Sequence, residues 1–395
     1  MRKQISKNVK RGSVYMKKFL TVLLAAIVAC SIFTACSQPV EEEPSVQPTV
    51  IEAATPAPAE TPAPEASADP TEISPTTGLP GNTVYKPIMV QIDNADAARP
   101  QTGLSYADIV YETDVDGGDT RFTALYNDAV NGTDAPDELI VGPVRSSRYY
   151  HQWIQEEWDA LYVHMGGPDT TTDDETDIWG SSSEHIRQRI NGAGRHAVNH
   201  DLFFPLKDGY SESDYAGIDL MEALAIYDYE PQALQSFAFY PAQDYADQPE
   251  IQEIGLHFFG DREFASYEYD ADADSLLRFT RGKEHRDDAT GEQVTVQNAV
   301  IQFVHDARAN DGPGSDRRIV DVKGSGDALF VIHGKLIKGT WERPTYDSPT
   351  SYTLESGEEL TLAPGNTWIT MMPSGREVTV TYADGTDETI VGEAD

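Results

Sequence analysis

Between Ser37 and Pro80 the chain carries ten prolines and eight acidic residues, and no lysine or arginine. Runs such as TPAPAETPAPEA cannot sustain a helix, because proline lacks the amide hydrogen and clashes with the preceding turn. They also hold too few apolar side chains to offset the entropy lost on ordering. The composition predicts an extended, disordered Pro/acid-rich linker over 36–82. Whatever folds in this 395-residue chain must therefore come from the residues that follow, a length that suits two domains.

What precedes the linker reads as an export address. Lys17 and Lys18 form a basic start, Phe19 to Val28 an apolar stretch, and small residues then lead to a cysteine. The segment is short and followed by a polar tail, so it reads as a secretory signal and not as a permanent span. With its cysteine it resembles a bacterial lipoprotein signal peptide over 16–35, in which the cysteine after the cleavage point is lipidated. Ile-Val-Ala-Cys at 27–30 fits that pattern on residue type, and Phe-Thr-Ala-Cys at 33–36 fits on length. Cys36 is the assignment here, because it leaves a full apolar stretch and the linker starts directly after it. Residues 1–15 read as an upstream extension from a misassigned start codon. The resemblance implies a protein lipid-anchored to the outer face of the bacterial cytoplasmic membrane. No other stretch is long and apolar enough to cross a bilayer.

Cys30 and Cys36 are the only cysteines, so beyond Cys36 there is no disulfide, no cysteine metal site and no cysteine nucleophile. Taking away the seven basic residues of the first 35 positions leaves 22 basic against 66 acidic residues. A body of this sign repels phosphate polymers, so nucleic acid is not an expected partner.

The expected fold class is α+β: an N-terminal mixed α/β domain over 83–240 and a mostly β C-terminal domain over 241–395. In the first, 86–94, 107–115, 121–127 and 138–144 are rich in Val and Ile and read as strands. The period then changes. Tyr150, Trp153, Ile154, Trp158 and Leu161 recur at helical spacing, which predicts an amphipathic helix over 147–161 capped by Ser146 or Ser147. Further helices are expected at 183–191 and 219–228. In the second domain strands are expected at 253–259, 294–304, 328–337, 367–372 and 377–382, with turn signals between them. No internal repeat is visible.

Several motifs, in order, resemble the YerB-like bacterial lipoproteins. In the first domain they are PTTGLP (75–80), QIDNADAARPQTGLSYADIVYE (91–112), DTRFTALY (119–126) and GPVRSSR (142–148). In the second they are the long run from Tyr267 to Phe303, GKLIKGTWERP (334–344) and LAPGNTWITMMP (362–373). The resemblance covers nearly the whole chain after the linker. It implies a two-domain envelope protein without an established activity. Where the family often carries an Arg-x-Pro-His-Asn-like element, this chain reads GRHAVNH at 194–200.

The most pointed site candidate is GPVRSSR. A strand ending at Val144 and a helix starting near Ser147 would make a turn with free amides and the positive end of a helix dipole. Arg145 and Arg148 add fork-shaped donors suited to carboxylate or phosphate, with Ser146 between them. Arg99 and Arg121 are candidates to join them. One reading is an anion-binding pocket for an acidic ligand or a peptide terminus. The other is that each arginine pairs with an internal acid such as Asp93, Glu112 or Asp114.

Other clusters are weaker. GGPDTTTDDETD (166–177) offers oxygen ligands, but reads as a mobile acidic loop because metal sites need fixed geometry. DADAD (270–274) fails as a calcium loop, with Ser275 where glycine is needed and Arg281 where glutamate is needed. His196 and His200 lack the glutamate of a zinc protease motif. His285, Asp287 and Asp288 form a candidate acid–base or metal cluster in the second domain, with a surface loop as the competing reading. No GxSxG, SxxK or P-loop occurs. No cofactor and no metal are expected. The function expected is a non-enzymatic module of the cell envelope that binds an envelope protein or a small acidic ligand. The alternative is a carboxylate-dependent cell-wall hydrolase, which needs only two acids close in space.

Overall fold

The computed structural model describes residues 72–166, 202–209, 211, 215–227, 230–231, 234–260, 264–308, 318–346 and 348–395. Cys36, the helix expected at 183–191, His196, His200 and the acidic run after Gly166 lie outside them.

The strands before residue 240 are β1 (Ile88–Asp93), β2 (Ile109–Asp114), β3 (Thr120–Tyr126), β4 (Ile140–Val144), β5 (Leu161–Val163), β6 (Phe204–Pro205) and β7 (Ala216–Asp219). Those that follow are β8 (Ile251–Leu256), β9 (Ala265–Asp270), β10 (Ser275–Thr280), β11 (Lys283–Glu284), β12 (Thr295–Val296), β13 (Asn298–Val304) and β14 (Asp306–Arg308). The last are β15 (Arg318–Val320), β16 (Gly324–Ile332), β17 (Lys335–Arg343), β18 (Ser351–Leu354), β19 (Thr367–Pro373), β20 (Glu377–Tyr382) and β21 (Asp387–Val391). The helices are α1 (Asp128–Asn131), α2 (Tyr149–Trp158) and α3 (Leu220–Ile226). The described protein is thus mostly β with few helices.

Residues from both sides of position 240 build one sheet. Its order is β18-β17-β16-β13-β19-β2-β3-β1-β4-β7-β6, with β5 beside β1. The junction is β19 against β2, parallel, with Trp368 opposite Val110 and Thr370 opposite Glu112. β13 lies parallel on the other side of β19. These three parallel neighbours are buried along their whole length. That is why NAVIQFV and TWITMMP show no clean alternation: both faces of a parallel sheet are covered. A second sheet, β11-β10-β9-β8-β20-β21 with β12 beside β10, behaves differently. In β10, SLLRFT alternates between partly and fully buried positions, so Leu276, Arg278 and Thr280 point the same way, inward.

Two features depart from the sequence expectation. The linker composition runs to Pro80, but residues 73–82 are part of the fold. Ser74, Thr76 and Thr77 are buried, and their hydroxyls are tied to two carboxylates. Thr76 Oγ1 donates to Asp108 at 2.6 Å, while Ser74 Oγ and Thr77 Oγ1 donate to Asp128 at 2.7 and 2.5 Å. Gly78, at φ +67°, lies against the Phe239 ring, which a Cβ would strike. Helix α2 begins at Tyr149 with Arg148 as its N-cap, and not at Ser146 or Ser147. Ser147 Oγ donates instead to the Arg148 carbonyl at 2.8 Å.

Candidate functional site

The turn between β4 and α2 sits at the end of β1 and β3. The Arg145 amide donates to the Gln91 carbonyl at 2.8 Å, and Arg145 in turn accepts from the Met165 amide at 3.0 Å. The Ser147 amide donates to the Gly166 carbonyl at 3.0 Å, and the Arg148 amide to His151 Nδ1 at 2.9 Å. These three amides are therefore engaged internally, so the turn does not present the run of free donors the sequence suggested. Its positive character comes from side chains.

Three guanidinium groups gather there. Arg145 holds Nε 2.9 Å from Asp93 Oδ2, with its side chain 40% exposed. Arg148 pairs with the Asp116 carboxylate and donates to the Ser147 carbonyl at 3.1 Å. Arg121 stands opposite Asp93 in the β1–β3 register and donates through Nη1 to the Ser146 carbonyl at 2.6 Å. Among the described residues it meets no carboxylate within ion-pair distance, and its Nε is buried without an acceptor. Burial first, and then the neighbouring Arg148 and Arg145, pull its pKa below the usual arginine value, against the opposing pull of Asp93. Behind them His151 is neutral. Its Nδ1 accepts from the Arg148 amide, so the ring proton sits on Nε2, which lies 2.7 Å from Thr113 Oγ1. Burial, followed by Arg121 and Arg148, holds its pKa well below the ordinary histidine value.

Among the other sequence candidates, Arg99 is not in this group. It pairs with Asp96, donates to Asn94 Oδ1 at 3.0 Å, and faces the β10–β11 turn. Glu112 is fully buried against Arg278, with Oε2 2.5 Å from Nη2, and its Oε1 accepts from Thr120 Oγ1 at 2.7 Å. Asp114 lies with Asp306 around Arg318, whose Nε is 3.1 Å from Asp114 and whose Nη2 is 2.6 Å from Asp306. Burial and the neighbouring Asp306 push the Asp114 carboxyl well up from its ordinary range.

The cluster of His285, Asp287 and Asp288 divides. Asp287 is buried and accepts from the amides of Gly103, Ser105 and Ala289 at 2.9, 2.6 and 2.8 Å. His285 bridges Thr280 Oγ1 at 2.7 Å and Gln101 Oε1 at 2.9 Å. A carbonyl oxygen only accepts, so the proton is again on Nε2. Burial and then Arg278 hold this histidine well below its ordinary value as well. Both residues fasten the hairpin after β10 onto the 101–105 loop. Asp288 is exposed, and its amide donates to the Gln101 carbonyl at 2.7 Å.

Two charged residues outside the sequence candidates are Arg278 and Arg343, both fully buried. Arg278 lies over the rings of Trp368 and Tyr267 at 4.4 and 4.8 Å. Arg343 holds Glu157 of α2 at 3.1 Å and donates to the Trp153 carbonyl at 2.7 Å. A signal existed for Arg278, since two-residue alternation in SLLRFT puts it on the face of Leu276.

Comparison with known proteins gives one consistent answer. Residues 76–208 match the family model described as protein of unknown function (DUF3048), N-terminal domain, and residues 254–369 match its C-terminal domain. The chain is 26% identical over 319 residues to a Bacillus subtilis protein named "Putative lipoprotein YerB", covering 79% of this chain and 89% of that one. The crystal structure of the YerB protein from Bacillus subtilis matches with a TM-score of 0.60 at 24% identity. It covers 76% of this chain and 97% of that one, a likeness of fold.

Proposed function

Because the chain belongs to the YerB-like lipoprotein family, we propose that it is a lipid-anchored, non-enzymatic binding module of the bacterial cell envelope. Cys36 carries the anchor, and the proline-rich linker lifts the folded body off the membrane. The ligand is a small acidic molecule or a peptide carboxyl terminus, held by Arg121, Arg145 and Arg148. One observation carries this reading: three guanidinium groups share only Asp93 and Asp116 among the described residues, and Arg121 has neither as an ion-pair partner. A guanidinium fork that is partly desolvated and meets no carboxylate among the described residues favours an external one.

The test is calorimetric titration of the full chain, in detergent, with a short peptide bearing a free C-terminal carboxylate and with its amidated twin. The acid is expected to bind and the amide not, and Arg121→Met is expected to weaken the acid at least tenfold. Equal binding of the two peptides, or an unaffected variant, would remove the reading. Separately, Cys36→Ala is expected to release the protein from membranes. Retention with an unchanged mass would sink the anchor assignment.

A further inference from the structure

A second basic site lies at the 96–100 loop. A cavity of about 540 Å³ opens between the 96–100 loop and the β10–β11 hairpin. Among the described residues its walls carry four cations, Arg99, Arg281, Lys283 and Arg286, against Asp96 and Glu284, and Asp119 just outside the lining pairs with Arg281, which leaves one cation in excess. In a chain of formal net charge −37 this local excess of positive charge runs against the composition. A volume of that size is in the range of small-ligand sites.

The turn that delivers the cations is itself informative. Thr280 pairs with Lys283, so Arg281 and Gly282 form a two-residue hairpin loop. Both have positive φ, +53° and +68°. Glycine or asparagine takes the first of these positions without strain, whereas a long side chain does so at a cost. The arginine placed there sends Nη2 to Asp119 Oδ1 at 2.7 Å and keeps Nε 3.5 Å from Asp96. Asp96 also pairs with Arg99. One carboxylate thus serves two arginines, and its side chain is 71% exposed, free to turn into solvent. Arg286 is half-exposed, its one ion pair among the described residues is with Glu284, and its Nη1 donates to the Gly291 carbonyl at 2.9 Å. Lys283 is exposed and, among the described residues, has no ion pair.

We propose that this cavity binds a small phosphate ester. Arginine forks beside a lysine point charge match a dianion with three terminal oxygens better than a single carboxylate. The proposal goes beyond the acidic-ligand reading and uses different residues.

The experiment is titration of the full chain at low salt, in maltoside micelles that carry no phosphate, with glycerol 3-phosphate, inorganic phosphate and acetate. One saturable site is expected, with the phosphate probes at least tenfold tighter than acetate. Tighter binding of glycerol 3-phosphate than of inorganic phosphate assigns the ester, and equal binding assigns the phosphate group itself. The double variant Lys283→Ala/Arg286→Ala changes two exposed side chains, so its melting temperature should hold while phosphate affinity falls at least tenfold. Arg145→Met should leave phosphate binding unchanged, which separates this site from the peptide-terminus site. No saturable binding, acetate equal to phosphate, or a double variant that binds like the parent would each overturn the proposal.

Discussion

Arginine occupies two contrasting settings in this protein. In the interior, Arg278 and Arg343 are fully buried and each meets a buried glutamate, Glu112 and Glu157. Each pair joins a residue before position 240 to one after it, 166 residues apart for Arg278 and Glu112. At the rim, Arg121, Arg145 and Arg148 cluster around two aspartates that are themselves partly exposed. The difference teaches what to read as function. A buried arginine is explained once its carboxylate is found, because an unpaired interior charge would not be tolerated. A rim arginine that meets no carboxylate among the described residues has no such explanation there, so an outside partner becomes a reason for its presence.

The sharpest way to break this comparison is to remove an interior arginine. Arg278→Met leaves Glu112 buried with Thr120 and Asn94 as its donors among the described residues. It also removes a cation from over two aromatic rings. A loss of about 3–5 kcal/mol is expected from stranding one partner of a buried pair. In Arg278→Met/Glu112→Gln much of that loss should return, since no buried charge remains. Chemical denaturation of the two variants checks it. If the single variant melts like the parent, interior and rim arginines are not distinct classes.

A smaller effect tests the N-terminal clamp. Gly78 combines φ +67° with contact against the Phe239 ring. Gly78→Ala adds both backbone strain and overpacking, and a loss of about 1–3 kcal/mol is expected. Limited proteolysis should show the loss locally, as earlier cutting between 72 and 82. An unchanged digestion pattern would mean that the PTTGLP segment is not held by its threonine–aspartate contacts.

These positions also show what could be read from sequence. The strands near 86–94, 121–127 and 377–382 were legible because their β-branched runs are bounded by turn residues, and α2 because its aromatic residues recur at helical spacing. The membership of one sheet was not legible: nothing in TWITMMP says that it lies parallel to IVYETD, more than 250 positions earlier. The clamp at 73–82 was hidden because its stabilisation comes from hydroxyl-to-carboxylate bonds, while its proline content matches that of the linker. At the candidate site, Arg145 and Arg148 stood out by spacing. Arg121 joins them only through the antiparallel register with β1. Residue type groups Arg99 with them, but the fold sends it to the cavity beside the β10–β11 hairpin.

A third test uses pH at the mixed carboxylate site. Burial raises the pKa of Asp114 in the folded protein, with Asp306 as the next cause, and burial raises that of Asp306. A carboxyl whose folded pKa is raised holds its proton more tightly in the native state than when unfolded. Its contribution is therefore fully present below the unfolded value near 3.8 and is lost as pH rises through the folded value. Asp114→Asn cannot ionise, so its stability should fall less steeply than the parent's over that range. Melting temperatures measured from pH 4 upward check this. Parallel curves would mean that Asp114 is not held protonated.

The smallest expected effect is the most useful for function. Arg145 is 40% exposed, and the carboxylate it meets among the described residues, Asp93, is not fully buried either. Exposed pairs of this kind contribute little, because solvent screens the attraction and the long side chain must be held in place. Arg145→Met should therefore cost no more than about 1 kcal/mol. Affinity for the free-carboxylate peptide should still fall at least fivefold, since the arginine is one of three guanidinium groups gathered at the turn. The parent and the variant would be compared by thermal melt and by the same titration. A melting temperature that drops as steeply as that of Arg278→Met would make Arg145 a structural arginine and retire the rim as a binding face. A near-unchanged melt with lost affinity keeps the two settings distinct, and leaves Arg121, which lacks even Asp93 as a partner, as the residue to substitute next.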